Sequence, residues 1–365
     1  MINYKGIPIL NIYHMLSYAF QELQKNNYDR IAGEKFDQIL DLLAEILYCG
    51  LSEQLKQGLY REYVARRESL TTLRGRLDIN GTIRNIMQRR QRLDCQYDEL
   101  SEDNQLNQIV KSTILLLLRC TEVETKRKMK LRAVLPLLSG VSATNLRTVQ
   151  WGAIRFQRSN RSYQMLINIC RFIAESVLLT TEAGDSHMLT FTERNMDKLF
   201  ERFVRNYYCR EHPSLCANAD SIAWNLDDEE SVGLELLPSM HSDTTLHYGE
   251  YTLIIDTKCY GKMTQGHFDK HTIHSGNLYQ IYAYVKNCDK CHSGQVSGML
   301  LYARTEEGVI PDLDASVDGN RIMVRTLDLS QEFANVKKQL DAIVDRWIER
   351  VNGCEVNTDV INNIK

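Results

Sequence analysis

Apolar residues recur every three or four positions in long stretches of the chain, the spacing that lines one face of a helix. Ile9–Phe20 shows it behind Pro8, Phe36–Leu47 shows it up to a stop at Cys49-Gly50, and Leu51–Tyr60 reads as a third helix. Asp103–Leu118 keeps the spacing through Leu106, Ile109, Val110 and Ile114, and Glu122–Leu138 continues it to Gly140. Tyr163–Leu179 is strongly apolar. Glu193–Glu211 sets Met196, Leu199, Phe200, Phe203, Val204 and Tyr207 on one face. Extended signals are fewer. Leu59–Ala65 and Ser69–Ile79 read as short strands, with Arg74-Gly75-Arg76 as a hairpin tip because glycine adopts the backbone angles a tight turn needs. Cys95–Glu102 reads as a polar loop or edge strand, and Val149–Phe156 as a short strand or extended link.

The strongest strand pattern is Leu234–Lys258 (LELLPSMHSDTTLHYGEYTLIIDTK). It predicts two strands, Leu234–Thr245 and Tyr251–Lys258, joined by a turn near His247–Glu250. A helix starting at Ser275, strands Val296–Ala303 and Arg321–Leu327, and a closing helix Ser330–Val351 follow. The second half thus reads β-β-α-β-β-α. The predicted fold class is α/β (α+β), with a mixed sheet flanked by helices over 161–365 and a helical domain carrying a small β element over 1–160.

Composition changes little of this. Net charge is −3, so any polyanion-binding surface is local rather than global. One such region exists: Arg61–Arg92 holds nine arginines against Glu62, Glu68 and Asp78, a local +6. It admits two readings, a basic projection toward a polyanion or nucleotide-bearing partner, or a solvated basic surface. The N-terminus lacks the basic region and cleavage site of a signal peptide, and no apolar run is long enough to span a bilayer, so a cytoplasmic protein is expected. Ten scattered cysteines are expected to be reduced. Cys288-Asp-Lys-Cys291 is half of a zinc pattern without its partner pair, and His267, His271 and His274 lack a fourth ligand; a basic, DNA-facing loop with Lys258, Lys262 and Lys270 is the alternative for the histidine segment. Asp227–Glu230 reads as an acidic loop. No G-x-x-x-x-G-K-[S/T] occurs, so the chain has no P-loop.

Chemistry concentrates at the end of the predicted hairpin. Asp256 and Lys258 are two apart on a strand and share a side, and the hairpin brings Asp243 to the same end. Two carboxylates suit Mg²⁺, a hard cation that takes oxygen ligands and keeps several waters. A nearby ammonium suits a water or a phosphate acquiring charge. The plain alternative is a core strand ending in a solvated acid and base. Gln280 and Tyr284, four apart, share one face of the following helix. This order, Asp, D-x-K, Q-x-x-x-Y over Leu199–Ala303, resembles the PD-(D/E)xK nuclease superfamily, with Ser242 where the name-giving proline would stand. An acid from a helix before the core often joins the superfamily's metal site. Glu201 is that candidate, and a surface glutamate is the alternative.

The whole chain, over Ile7–Arg350, resembles the McrC family, the endonuclease subunits of McrBC-type modification-dependent restriction systems. The resemblance rests on Asn11–Phe20 (NIYHMLSYAF), Leu73-Arg-Gly-Arg-Leu77, and Asp98–Asp103 with Asn107 and Lys111-Ser-Thr113. In the second half it rests on Leu236–Met240 with Asp243, Ile255–Lys258 and Asn277–Gln280. It implies a C-terminal Mg²⁺-dependent endonuclease acting on double-stranded, methylcytosine-containing DNA. Asp243, Asp256 and the Thr257 carbonyl would be metal ligands, Lys258 the catalytic ammonium, and Gln280 and Tyr284 would contact the scissile region or orient the lysine. It also implies an N-terminal domain that docks on the hexameric ring of a separate AAA+ GTPase and stimulates it, with Arg74, Gly75 and Arg76 as the contact. GTP and the methylated base would be bound by the partner. Two other readings stay open, a catalytically silent NTPase activator and a stand-alone repair-type nuclease.

Overall fold

The computed structural model describes residues 3–4, 6–20, 31, 34, 36, 38–178, 185–226, 233–259, 264–267, 270–304 and 310–362. The acidic run Asp227–Glu230 and Lys262 lie outside them, as do the side chains of His267, Lys270 and His271. Internal contacts divide the chain into one unit of Met1–Asp37 with Ala183–Lys365 and a second unit of Gln38–Glu182. This differs from a cut at residue 160 in two places. The first 37 residues join the C-terminal unit, and the helix beginning at Tyr163 falls in the other.

A short pair, β1 (Asn3–Tyr4) and β2 (Ile7–Pro8), leads into α1 (Ile9–Ala19). Side-chain bonding explains why α1 belongs with the distant C-terminal segment. Buried Asn11 donates through Nδ2 to Leu329 O and Gln331 O, each at 2.7 Å, so both of its amide hydrogens are satisfied by that segment. His14 stacks on Phe333 at 4.4 Å, and Tyr18 OH donates to Glu211 Oε1 at 2.6 Å.

The second unit opens with α2 (Ile39–Gln57), one helix where two were expected. Gly50 does not end it: Gly50 and Leu51 are both buried, and packing of that face outweighs glycine's poor helix propensity. Gly58, at φ +90°, caps it instead. There follow β3 (Glu62–Leu70), β4 (Arg76–Leu77), α3 (Ile79–Met87) and β5 (Leu93–Ser101). β3 and β5 form an antiparallel ladder from Glu62↔Ser101 to Leu70↔Leu93, roughly 30 Å long at ~3.4 Å per residue. Cys95–Glu102 is therefore largely strand. The strand expected over Ser69–Ile79 breaks after Leu70 and gives way to α3. Asp78 caps α3 by accepting from Gly81 N at 3.3 Å, and Asp94 Oδ1 accepts from Asn85 Nδ2 at 2.9 Å. Ile79, Ile83, Ile86 and Met87 of α3 are exposed.

The unit closes with α4 (Gln105–Leu117), α5 (Thr125–Val134) and α6 (Tyr163–Leu178). Residues 149–156 carry a 3₁₀ turn at Trp151–Ala153 rather than a strand. Asn107 ties the ladder's base to the helices: its Nδ2 donates to Tyr60 O at 2.9 Å and Glu102 O at 2.7 Å, and its Oδ1 accepts from Tyr163 OH at 2.8 Å.

The C-terminal unit continues with α7 (Asp185–Glu211), β6 (Ser221–Ile222), β7 (Met240–His241), β8 (Thr244–Tyr248) and β9 (Tyr251–Lys258). Next come β10 (Thr264–His267), β11 (Lys270–Ile273), α8 (Ser275–Cys288), β12 (Val296–Ala303), β13 (Leu313–Val317), β14 (Asn320–Leu327) and α9 (Phe333–Asn362). The expected mixed sheet is present, in the order β13-β14-β12-β9-β8, with β9, β12 and β14 parallel and both edges antiparallel. Every residue of the central β12 is buried, as a strand covered on both faces requires. α8 seats Ile281, Tyr284 and Val285 on Ile254, Leu300, Ile322 and Val324. Gly298 permits that approach: a Cβ there would stand 2.7 Å from Val285 Cγ2 and 2.8 Å from Ile281 Cγ1.

The strand expected over Leu234–Thr245 is not continuous. Leu234–Leu236 is a 3₁₀ turn with Leu236 83% exposed, β7 pairs only with β6, and the chain breaks at Ser242-Asp243 before β8. The hairpin turn is Gly249-Glu250, between the paired Tyr248 and Tyr251. No helix among the described residues is long and apolar enough to cross a membrane.

Candidate active site

The site forms where β9 ends. Strand alternation puts Asp256 and Lys258 on the sheet face that α8 covers, and Asp256 is only 1% exposed. Lys258 Nζ lies 2.5 Å from Asp256 Oδ2 and donates to Gln280 Oε1 at 3.3 Å. Gln280 Nε2 in turn donates to Tyr284 OH at 2.8 Å. One turn of α8 therefore presents the Gln280 carbonyl oxygen to the ammonium and the Tyr284 hydroxyl as acceptor for the Gln280 amide nitrogen.

Asp243 reaches the site through the break before β8. The register Thr244↔Ile255 carries it across from the end of β9. There its Oδ2 accepts from Thr257 N at 2.7 Å and Thr257 Oγ1 at 2.8 Å. Thr257 thus anchors Asp243 with its amide and hydroxyl, while its carbonyl was the feature singled out from the sequence.

Glu201 comes in from α7. Arg205, one turn later, donates through Nη1 to Glu201 Oε1 at 3.1 Å and to Asp243 O at 2.9 Å. Burial raises the Glu201 pKa, the Asp243 charge raises it further, and Arg205 opposes both. Burial likewise pushes the Asp256 carboxyl up; Lys258 pulls it down, and the charges of Asp243 and Glu201 push it up again. Asp256, Asp243, Lys258, Gln280, Tyr284 and Glu201 are thus gathered in one neighbourhood.

Two residues were not found by sequence reading. Arg205 fixes the Asp243 backbone, and Asp197 Oδ1 accepts from Cys259 N at 2.9 Å, holding the residue after Lys258. Their signal was available: Asp197, Glu201 and Arg205 recur at four-residue spacing on one face of α7.

The donor set suits a hard cation. Asp256 Oδ2 is buried, meets the Lys258 ammonium, and accepts no aligned hydrogen bond among the described residues. Repulsion among the carboxylates is what a dication would relieve. No group of three or more His, Cys, Asp or Glu side chains among the described residues forms a ready-made cage. Ligation by two carboxylates, backbone oxygen and water needs none. Cys288 and Cys291 are exposed free thiols.

Arg74, Gly75 and Arg76 lie in the other unit. Arg74 stacks over the Tyr97 ring at 4.0 Å and pairs with Glu99 at 3.4 Å. Arg76 pairs with Gln96 of β5. Gly75, at φ +68°, is pressed so closely on Gln96 O and Tyr97 that a Cβ would overlap them. The segment is therefore laid along β5 and is not a hairpin tip. The chain beyond it forms α3, with its exposed apolar residues, and the turn to β5.

The family model described as "McrBC 5-methylcytosine restriction system component" matches residues 10–303, most of the chain. The chain belongs to this family. This McrBC-family chain is 26% identical over 348 residues to the Escherichia coli (strain K12) type IV methyl-directed restriction enzyme EcoKMcrBC, covering 94% of this chain and 99% of that protein. It is also similar to McrC bound to McrB AAA+ hexamers of Thermococcus gammatolerans. That likeness has 18% identity, 93% coverage of this chain, 79% of the other and a TM-score of 0.49. The T. gammatolerans McrBC complex matches at 24% identity, with 56% and 58% coverage and a TM-score of 0.42. The family match spans nearly all of α1, the β3–β5 ladder and the candidate site residues from Asp197 to Tyr284.

Proposed function

We propose that this McrBC-family chain is the DNA-cleaving subunit of a cytoplasmic, methyl-directed restriction complex. In this reading it hydrolyses phosphodiester bonds of methylcytosine-containing duplex DNA, and it docks on a hexameric AAA+ ring whose GTP hydrolysis it stimulates. The observation that carries the reading is the juxtaposition of Asp243, Asp256 and Lys258 at the end of β9, within a family of restriction-system components.

Asp256 and Asp243 would hold Mg²⁺, with the Thr257 carbonyl and Glu201 as further oxygen donors. When bound, the ion supplies Lewis-acid chemistry: it lowers the pKa of a water and offsets charge on the phosphate. Lys258 orients the attacking water and stabilises the charge that develops on the phosphoryl oxygens. Gln280 positions the Lys258 ammonium, and Tyr284 positions Gln280. Arg205 keeps Asp243 at the strand end through its backbone carbonyl. The chain has no P-loop, so GTP belongs to the partner.

The deciding test is cleavage of methylated and unmethylated plasmid with Mg²⁺, GTP and the ring subunit. Cutting of methylated DNA alone is expected. Cutting without the ring favours a stand-alone nuclease, and stimulation without cutting favours a silent activator.

Gln280→Ala is expected to lower the cleavage rate by roughly 10- to 100-fold with little change in DNA affinity, because it frees an ammonium whose placement matters to the transition state. An unchanged rate would remove Gln280 from the site's machinery.

The β3–β5 ladder with α3 supplies the partner contact. Reversing charge at both arginines, Arg74→Glu with Arg76→Glu, is expected to reduce stimulated GTP hydrolysis at least ~10-fold. Folding should hold, since exposed ion pairs such as Arg74–Glu99 contribute at most about 1 kcal/mol. Full stimulation by the folded double variant would exclude these residues from the contact.

A further inference from the structure

A cavity of about 430 Å³ lies between the sheet and α9, away from the carboxylate site. Its floor includes Met299 and Met323, which pair with each other across β12 and β14, and Met299 pairs with Ile255 of β9. These residues alternate with Asp256, so the cavity opens on the opposite face of the sheet from Lys258 and Gln280.

Four arginines line it, Arg321, Arg325, Arg346 and Arg350, against two acids, Asp314 and Glu349. Asp314 organises three of them. Its Oδ1 accepts from Arg321 Nε at 2.5 Å, and its Oδ2 accepts from Arg350 Nη1 at 2.6 Å and Arg325 Nη2 at 3.0 Å. Burial pushes the Asp314 carboxyl up, but the Arg321 and Arg350 guanidinium groups outweigh it and hold it below the usual carboxylate range. Each guanidinium has five N–H donors in a rigid fork; Arg325 turns its other edge to Asp312, Leu313 O and Val324 O, while Asp314 engages only one edge of Arg321 and Arg350. Among the described residues, Arg321 and Arg350 keep donors with no protein acceptor, and the exposed Arg346 guanidinium has no partner at all. Trp347 also lines the cavity. It is 5% exposed, and its buried indole N–H has no acceptor among the described residues.

We propose that this cavity is a second binding site of the chain and takes the phosphate of a nucleotide. The open guanidinium edges hold the phosphate bidentately, and the apolar part of the lining beside Ile343 and Trp347 takes the sugar or base. The volume lies within the ~300–1,000 Å³ range of small-molecule pockets and far exceeds what a bare phosphate fills. A cationic rim over an apolar floor matches an anion joined to a flat apolar body. Two sources carry that chemistry, a free mononucleotide and the end of a DNA strand.

The test is calorimetric titration of the full chain with thymidine 5′-monophosphate and, separately, a short oligothymidylate. EDTA is present, so the carboxylate site at β9 carries no divalent ion and no cleavage is scored. The outcome is therefore independent of whether the nuclease reading holds. Saturable binding of the monophosphate, weakened about 10-fold or more by Arg346→Glu and by Arg350→Ala, is expected for a charge-assisted phosphate contact. Binding of the oligonucleotide alone, with the same sensitivity, supports the site and assigns it to a strand end. Absence of binding by both probes, or affinities that neither variant changes, overturns it. Arg346 has no partner to lose, so its variant is expected to melt like wild type.

Discussion

Asp256→Ala is expected to reduce DNA cleavage by at least ~10³-fold while the partner's GTP hydrolysis stays stimulated as by wild type. The first half follows from position. Asp256 is the buried carboxylate at the centre of the site, in contact with the Lys258 ammonium and within the electrostatic reach of Asp243 and Glu201. Removing it takes away a cation ligand and the counter-charge that holds Lys258 at once, so the two losses act on one step. The second half follows from the division of the chain. Asp256 lies in the unit of Met1–Asp37 with Ala183–Lys365, and the β3–β5 ladder lies wholly within Gln38–Glu182. Paired assays of plasmid nicking and phosphate release, on one preparation with an unchanged melting profile, read both halves. Retained cleavage would put the chemistry elsewhere. Loss of both activities in the folded variant would end the assignment of stimulation to the other unit.

Much of the candidate site's layout is legible in the sequence, and the reason is local. Asp256 and Lys258 sit on an aliphatic β-branched strand whose period is unambiguous, and Gln280 and Tyr284 sit one turn apart on a helix. In both cases the side on which a residue lies follows from the backbone repeat alone. Asp243, expected at the end of a strand, lies instead in the break before β8 and is held beside β9 by Thr257. The apolar residues at Leu234 and Leu236 mimic alternation but face solvent, and the chain breaks at Ser242, whose hydroxyl lies 2.7 Å from Thr245 Oγ1 and accepts from Asp220 N.

Most of what failed was tertiary. α3 was missed although Ile79, Ile83, Ile86 and Met87 keep the helical three-to-four spacing, because its first residue, Ile79, also ends the strand expected over Ser69–Ile79; the apolar stripe of α3 is exposed. Gly50 reads as a helix stop, yet it lies inside α2 because the buried face continues through Leu51. The allegiance of α1 rests on Asn11, whose partners are more than 300 residues away in the chain. No local pattern encodes that. Arg205 and Asp197 could have been found from the spacing around Glu201, but only after Glu201 was taken as part of the site.

Arg127→Met is expected to destabilise the Gln38–Glu182 unit by about 3–5 kcal/mol, the cost of leaving a buried charge without its partner. Arg127 Nε lies 3.0 Å from Asp41 Oδ2, and its Nη1 meets Glu45 Oε2 at 3.5 Å, too poorly aligned to hydrogen-bond. Both side chains of the Arg127–Asp41 pair are at most 3% exposed, so solvent screens little. Lys130, at 2.5 Å from Glu45 Oε1, partly compensates Glu45 but is 28% exposed and does not replace Arg127 beside Asp41. The loss carries a pH signature. Burial already raises the Asp41 pKa in the native state, while the Glu124 amide and Arg127 hold it down. Without the guanidinium it rises further above its unfolded value. A raised native pKa contributes stability below the unfolded value that is lost as pH climbs through the folded one. The variant is therefore least destabilised near pH 4, at the unfolded carboxylate value of about 3.9, and most near pH 8. Urea unfolding at the two pH values, followed by a probe in this unit, gives the comparison. A deficit below about 1 kcal/mol at neutral pH, or one that does not shrink on acidification, would mean the cluster is wetter than its burial indicates. Adding Asp41→Leu to the variant should recover much of the deficit, because a buried ion pair contributes little net stability once both partners are replaced by apolar groups of similar volume.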